Sequence, residues 1–393
     1  MRHFSAQYVF TNEGTPLKRG IVSVSDDGTI TGIHDSGGDL AEQRSVEFHN
    51  GIIIPGFVNC HCHLELSHMR NVIPQGVGLA EFLRIFRDSR ISPLDTISGS
   101  AKAADDEMYQ AGTQLCADIC NTSHTFGVKK LSRIRYLNLL EVFGIDSKKA
   151  VKRLNEIKSL AAEADEAGLK YSIVPHAVYS ISLRLFRLLR AVTASNRVTS
   201  VHFMETPAEK MLLEKFEGPL MDSYRESELV DSGKNPDLVR DHATAVLEYI
   251  TPSGNLLLVH NTFADKNTID RLKERNNISW CLCPKANLYI EDQLPPLKLL
   301  MNSYCTIVIG TDSYASNDKL DILDEIRTLQ EHFPSVSLED LIRFATINGA
   351  EALGEQEMYG SIKTGKKPGL LLLKDLDIAN FRLLPGTFVR RLV

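Results

Sequence analysis

A chain of 393 residues with 44 Lys and Arg against 50 Asp and Glu has a mild net charge of −6, and its charges are interspersed; no basic patch suggests nucleic acid and no acidic tail is present. Its length exceeds that of an ordinary α/β barrel, which leaves material for a second, smaller domain. Met1 to Phe10 lacks the charged-then-apolar pattern of a secretory signal, no apolar run approaches membrane-spanning length, and the seven cysteines lie mostly in or beside apolar runs (Cys60, Cys62, Cys116, Cys281, Cys305), so reduced thiols in a cytoplasmic protein are expected.

Residues 4–54 offer short β-like pieces with turn signals, among them an Asp27-Gly28 hairpin turn. The stretch Gly51 to Leu66, GIIIPGFVNCHCHLEL, is an apolar run that breaks into His61 and His63. On a strand, the two-residue period points both imidazoles to one face where the strand leaves the core, which is half of a metal site. Cys60 and Cys62 alternate with them and are expected to face the other way, as packing residues.

Eight apolar runs punctuate the chain, at 52–58, 113–119, 137–143, 171–175, 198–203, 256–259, 278–283 and 306–311. Between them lie stretches of helical periodicity, such as Ser147 to Ala167, Leu183 to Thr193 and Pro236 to Tyr249. Strand and helix alternating eight times predict an α/β fold, a (β/α)8 TIM barrel of parallel strands buried on both faces. Its C-terminal strand ends carry, in order, His61 and His63, Asp118, Glu141, His176, His202 with Glu205, His260, Cys283 with Asn287, and Asp312. Any one of these is an ordinary strand-end residue; the ordered set at one end of the barrel is not explained by packing and predicts a metal site. A long connection, Thr206 to Asn235, follows the fifth strand, and loops of that length often act as lids or specificity elements, which makes Arg225 and Met221 candidates for substrate contact. Near the C-terminus, Tyr359 to Leu373 combines a Gly-rich turn with an apolar strand. Residues 1–54 and 359–393 are therefore expected to pair into one small β-sandwich domain, with the barrel at 55–358.

The motifs PGFVNCHCHLELS, VPHAVYS, VHFMET, LLVHNTF, CPKANLYI, GTDSYASND, LIRFATINGAEALG and GSIKTGKKPG cover nearly the whole chain. Together, and in this order, they resemble the amidohydrolase superfamily, specifically its metal-dependent deaminase and chlorohydrolase branch. The resemblance implies that His61, His63, His202 and Asp312 bind one catalytic divalent transition metal; three imidazoles and a carboxylate suit zinc first and ferrous iron second, rather than magnesium or calcium. Binuclear members place a carboxylated lysine at the end of strand four, whereas here that strand ends in His176 and Lys170 lies at its opposite end, so a mononuclear site is expected. Such a metal lowers the pKa of water towards ~7. The resemblance then gives Asp312 the task of orienting and deprotonating that water, Glu205 that of a proton shuttle to a ring nitrogen and to departing ammonia, and His260 that of stabilising the tetrahedral adduct. His176 is expected to touch substrate or leaving group, and Asp118 and Glu141 to brace ligand imidazoles or the fold.

Substrate identity is less legible. Adenosine-type and S-adenosylhomocysteine-type deaminases share this ligand set with guanine and cytosine deaminases and triazine hydrolases, and the run His63-Leu64-Glu65-Leu66-Ser67 most resembles aminodeoxyfutalosine deaminases. Glu65 is a candidate acceptor for ribose hydroxyls, with a salt bridge to Arg84 or Arg87 as the alternative; Asn287, Ser316 and Arg225 complete the expected substrate contacts. Val178 stands where proline is commoner and Ala286 where serine is commoner, so contacts near the ring are expected to differ. The expected activity is hydrolytic deamination of an aminated purine-like nucleoside or related heterocycle with release of ammonia. Hydrolysis of another C–N or C–halogen bond at the same site is the alternative, and a catalytically inactive binding barrel ranks last because every ligand position is filled. The expected partners are a small heterocycle and, by resemblance, a second copy of the chain, with neither nucleic acid nor membrane.

Overall fold

The computed structural model describes residues 1–39, 45–231 and 233–393. The ends of the chain build one seven-stranded sheet. Strands β1 (Arg2–Val9), β2 (Leu17–Lys18), β3 (Ile21–Val24), β4 (Ile30–His34) and β5 (Val46–Pro55) come from the N-terminal segment. The predicted turn at Gly28 joins β3 to β4, with φ 84° at that glycine and its N–H donating to Ser25 O at 3.0 Å. Two strands from the far end of the chain, Leu370–Lys374 and Phe388–Arg391, join on the outer side of β5, where Leu371 pairs with Ile54. One face of this sheet buries Phe4, Val22, Ile30, Ile53, Leu370 and Leu372 as a small core of its own.

Eight parallel strands follow: β6 (Phe57–Cys62), β7 (Thr113–Cys120), β8 (Arg135–Val142), β9 (Tyr171–Pro175), β10 (Val198–Phe203), β11 (Asn255–His260), β12 (Ile278–Leu282) and β13 (Thr306–Ile309). The C-terminal strands Leu370–Lys374 and Phe388–Arg391 are then β14 and β15. All but one of the predicted apolar runs coincide with a barrel strand to within two or three residues. The exception is 52–58, which is divided between β5 of the terminal sheet and β6 of the barrel. Pro55 has no N–H to continue a ladder, and Gly56 N–H turns away to Pro368 O at 3.0 Å, so the chain changes sheets there.

The barrel consists of two four-stranded halves, β6 to β9 and β10 to β13, joined by two narrow seams. At one seam Ala177 bridges His202, with His202 N–H donating to His176 O at 2.8 Å. At the other, Cys62 bridges Asp312, and the N–H groups of Thr311 and Asp312 both donate to His61 O, at 3.0 and 3.1 Å. That approach is close enough that a Cβ on Gly310 would lie 2.7 Å from His61 Cβ, so only glycine fits.

Cys60 and Cys62 face outward as expected from alternation. Cys60 packs on helix Ile347–Ala352, where Gly349 leaves room for its sulfur, and Cys62 Sγ lies 4.0 Å from Met108 Sδ of helix Leu94–Gln110. Helix Leu183–Thr193 has the predicted bounds, with Ser182 Oγ accepting Leu185 N–H at its start. Ser147 to Ala167 resolves into a 3-10 turn, Ser147–Lys149, and helix Ala150–Glu166. The predicted helix over 236–249 begins only at His242, because Asp241 caps it by accepting Thr244 N–H at 2.9 Å. The connection from Thr206 to Asn235 is not an open loop: it folds into helices Pro207–Lys215 and Pro219–Glu226.

Candidate active site

The C-terminal ends of the barrel strands are where the backbone leaves its regular course. Met204, His260, Asn261 and Asp312 all adopt left-handed conformations, with φ of 50°, 75°, 59° and 58°. Non-glycine residues rarely sit there, and their clustering after β10, β11 and β13 marks a place where side-chain direction overrides backbone ease.

Those bends bring histidines and carboxylates together. His61 Nε2 and His63 Nε2 are 3.2 Å apart and lie 3.5 and 3.4 Å from Asp312 Oδ1. His202 Nδ1 lies 3.0 Å from His260 Nε2, and the His61 and His202 rings are 4.9 Å apart. Three triads result, each with ligand atoms within 4.8 Å: His61–His63–Asp312 and His61–His202–His260, which share His61, and Glu141–His176–His202, which shares His202 with the second. The four predicted metal ligands are thus spread over two overlapping groups that surround one volume.

The chemistry of these donors fits a transition metal. Burial depresses the pKa of His61 to about 3 and also lowers that of His63, favouring the neutral imidazole that a metal requires of its ligand. Burial opposes the charge on Asp312, but the His61 hydrogen bond and the nearby His63 outweigh it and keep that carboxylate ionised. Burial also opposes charge on His202, yet Glu141, Glu205 and Asp312 outweigh it and raise its pKa to about 9; a divalent cation would neutralise the same negative field. His61 Nδ1 and His202 Nε2 are buried with no hydrogen-bond partner.

Further side chains surround this cluster. Ser316 Oγ donates to Asp312 Oδ2, leaving Oδ1 towards the histidines. Asn287 Nδ2 sits 3.2 Å from His260 Nδ1, while His260 Nε2 lies 3.7 Å from Glu205 Oε1. Burial pushes the pKa of Glu205 well above the usual carboxylate range. Glu141 Oε1 lies 3.3 Å from His202 Nε2, and its Oε2 accepts Asn121 Nδ2–H at 3.1 Å. A cavity of about 230 Å³ opens from these residues. His176, Glu141 and Asn121 line its polar side, and Leu66, Leu79, Phe82, Phe86, Phe143, Leu220 and Leu229 its apolar side. His176 Nδ1 is engaged with Ser180 Oγ at 2.7 Å.

Residues 52–390 match the model of the amidohydrolase family. The chain belongs to this family. Among its relatives, a 5'-deoxyadenosine deaminase of Methanobrevibacter smithii is 25% identical over 386 residues, covering 90% of this chain and 80% of its own length. The aminofutalosine deaminase of Helicobacter pylori, solved in complex with methylthio-coformycin, superposes with a TM-score of 0.78 at 21% identity, over 96% of this chain and 93% of its own. An adenosine deaminase from Xanthomonas campestris, solved with bound zinc, gives 0.70 at 22% identity, over 98% and 87% of the two chains. Both solved structures share the barrel fold with this amidohydrolase.

Several expected substrate contacts lie elsewhere. Glu65 is not on the cavity wall and pairs with neither Arg84 nor Arg87: its carboxylate accepts the N–H groups of Asn121 and Thr122 and the Thr122 hydroxyl, at 2.9 to 3.3 Å. It lies on a 3-10 turn, Leu64–Met69, that rolls it under the loop after β7. Arg225 points away from the cavity and lies 3.7 Å from Asp222, and Met221 is buried behind its neighbours; Leu220, Ser223 and Tyr224 are the members of that helix which line the cavity. Asn287 and Ser316 touch His260 and Asp312 rather than the cavity. Asp118 braces the fold: its Oδ1 accepts Leu64 N–H at 2.7 Å, and its Oδ2 pairs with Lys129, both side chains being fully buried. Sequence reasoning passed over Lys129, and also Glu209 and His242, a buried pair beneath Glu205. A signal for Glu209 exists, because Thr206-Pro207-Ala208-Glu209 has the spacing of a helix-capping box.

Proposed function

We propose that this amidohydrolase is a metal-dependent aminohydrolase that removes the amino group of an aminated purine-type nucleoside as ammonia. The observation that carries the reading is the His61–His63–Asp312 triad near Glu205 and His260 at the floor of a cavity with one polar side and one largely apolar side. His61, His63, His202 and Asp312 would hold the metal, with zinc favoured by the nitrogen-rich donor set and by the zinc in the Xanthomonas relative. When bound, it supplies an acidified water at neutral pH.

The protein's own groups do the rest. Asp312, ionised and with Oδ2 occupied by Ser316, turns Oδ1 towards His61 and His63, where it would accept the proton of the attacking water. Glu205, whose burial favours the protonated carboxyl, donates to the ring nitrogen beside the attacked carbon and makes that carbon electrophilic; as a carboxylate it then takes the proton of the added hydroxyl and passes it to the amino group leaving as ammonia, and the proton held by Asp312 restores it. His260, oriented by Asn287, hydrogen-bonds the oxygen that adds to the ring. His176 and Glu141 offer polar contacts to the rest of the substrate, and the leucine and phenylalanine wall takes its less polar part.

The nucleoside class is supported by the names of the relatives, one acting on 5'-deoxyadenosine and one bound to a methylthio-coformycin. A cytoplasmic setting is supported by seven free cysteines, six of them buried. Among the described residues no helix is long and apolar enough to cross a membrane. The division into a terminal sheet unit, 1–54 with 359–393, and a barrel unit, 55–358, is supported by the separate core of the sheet.

The test is ammonia release from adenosine, 5'-deoxyadenosine, S-adenosylhomocysteine, aminodeoxyfutalosine, guanine and cytosine, with metal content assayed on the same protein. Release from a purine nucleoside is expected; release from guanine or cytosine alone would overturn the nucleoside reading. Glu205→Gln is expected to keep the metal and lose about 10²-fold or more in turnover, and full activity in that variant would remove Glu205 from the chemistry.

A further inference from the structure

We infer that Glu209, anchored by His242, is a positioning residue that sets where the Glu205 carboxyl stands, an inference that rests on Glu205 being the proton carrier proposed above. No protein group among the described residues hydrogen-bonds the Glu205 carboxyl; its nearest charged or imidazole neighbour is His260 Nε2, 3.7 Å away. Its position therefore depends on its backbone. That backbone follows a forced bend, because β10 ends at Phe203 and Met204 takes a left-handed φ of 50°. A single carboxylate spans the bend: Glu209 Oε1 accepts Glu205 N–H at 2.6 Å and Thr206 N–H at 3.2 Å.

The second of these bonds is ordinary. Thr206 caps helix Pro207–Lys215, and a glutamate three residues on reaches back to the cap N–H in any capping box. The bond to Glu205 N–H is additional, and so is the environment. Glu209 is fully buried, and its other oxygen meets His242 Nε2 at 2.7 Å, a partner contributed from beyond the two helices of the 206–235 connection. Solvated capping needs no buried charge, and burying a carboxylate is costly unless it is paired. A buried, paired carboxylate is stiff, with both oxygens committed. Stiffness is what a proton carrier without side-chain partners requires of the turn beneath it, since displacement by about 1 Å costs about 10²-fold in rate.

The experiment is steady-state ammonia release by the metal-loaded enzyme with the nucleoside of the panel above that it turns over fastest, for Glu209→Ala, Glu209→Gln, Glu205→Gln and the double variant E205Q/E209A. Metal content is measured on each. Glu209→Ala is expected to lower kcat by about 10²-fold with KM changed less than about threefold and metal retained. Glu209→Gln is expected to recover most of that loss, because its amide oxygen accepts the same two N–H groups. In the E205Q background, removing Glu209 is expected to cost less than about twofold, since there is no proton carrier left to misplace. A further loss of about 10²-fold in that background would make Glu209 a general structural brace and overturn the inference, as would Glu209→Ala with kcat within about threefold of wild type. If Glu205→Gln itself keeps full turnover, it is the proposed role of Glu205 that fails. Should Glu209→Ala not fold, Glu209→Asp keeps the charge but is one methylene too short to reach Glu205 N–H, and the same pattern is expected of it.

Discussion

The two ends of the active cavity are built by different means. At the inner end several groups are held by buried polar neighbours: Asp312 by Ser316, His260 by Asn287, the Glu205 backbone by Glu209, and the turn after His63 by Asp118. At the outer end Leu79, Phe82 and Phe86 of helix Leu79–Ser89 face Leu220 and Tyr224 of helix Pro219–Glu226 through apolar contact. The polar tie between those two helices is exposed, Arg87 reaching Ser223 at 3.1 Å and Ser227. Directional bonds fix the reacting atoms, where tenths of an ångström matter; apolar packing shapes the rest, where volume matters more than angle.

That contrast breaks if the inner end tolerates truncation or the outer end does not. The largest effect is expected from His63→Ala, which removes a proposed metal ligand: metal content measured by elemental analysis should fall, with kcat/KM down by about 10³-fold or more. Next comes Lys129→Met, which leaves the buried Asp118 without its counter-charge; denaturant unfolding should show a loss of about 3–5 kcal/mol, while a loss under about 1 kcal/mol would mean that the pair does not brace the site. Ser316→Ala frees Asp312 Oδ2 and should lower kcat or metal affinity by about 10- to 100-fold. The smallest change is expected at the outer end, where Phe82→Ala should raise KM by about 10-fold with kcat within about twofold. A larger fall in kcat than in affinity there would place the outer wall within the catalytic machinery.

The same division explains what could be read from the sequence. Barrel strands are legible because buried β structure leaves an apolar run of fixed length, and strand-end residues follow from where each run stops; His61, His63, His202, His260 and Asp312 all fall in place by that rule. The division of 52–58 between two sheets was not legible, since both pieces are equally apolar and only the Pro55-Gly56 step marks the change. Glu65 and Arg225 lie off the cavity for a different reason. They lie on a 3-10 turn and a short inserted helix, whose facing is set by tertiary contacts with Thr122 or with helix Leu79–Ser89 rather than by a period in the sequence. Lys129 and Asp118 are eleven positions apart on different elements, and nothing in the local pattern announces that they meet.

The seam at Gly310 also has a consequence for the order of assembly. The half of the barrel from β6 to β9 carries His61 and His63, and the half from β10 to β13 carries His202 and Asp312, so neither half owns a complete set of ligands. Asn59 and Thr311, which are hydrogen-bonded across the seam at 2.8 Å, are 252 positions apart, so this joint closes the longest loop in the barrel. A cation held by the proposed ligands would join the two halves, and its affinity would then include the free energy of bringing them together. Closure of the barrel is therefore what brings His61 and His63 beside His202 and Asp312, residues that the sequence keeps far apart.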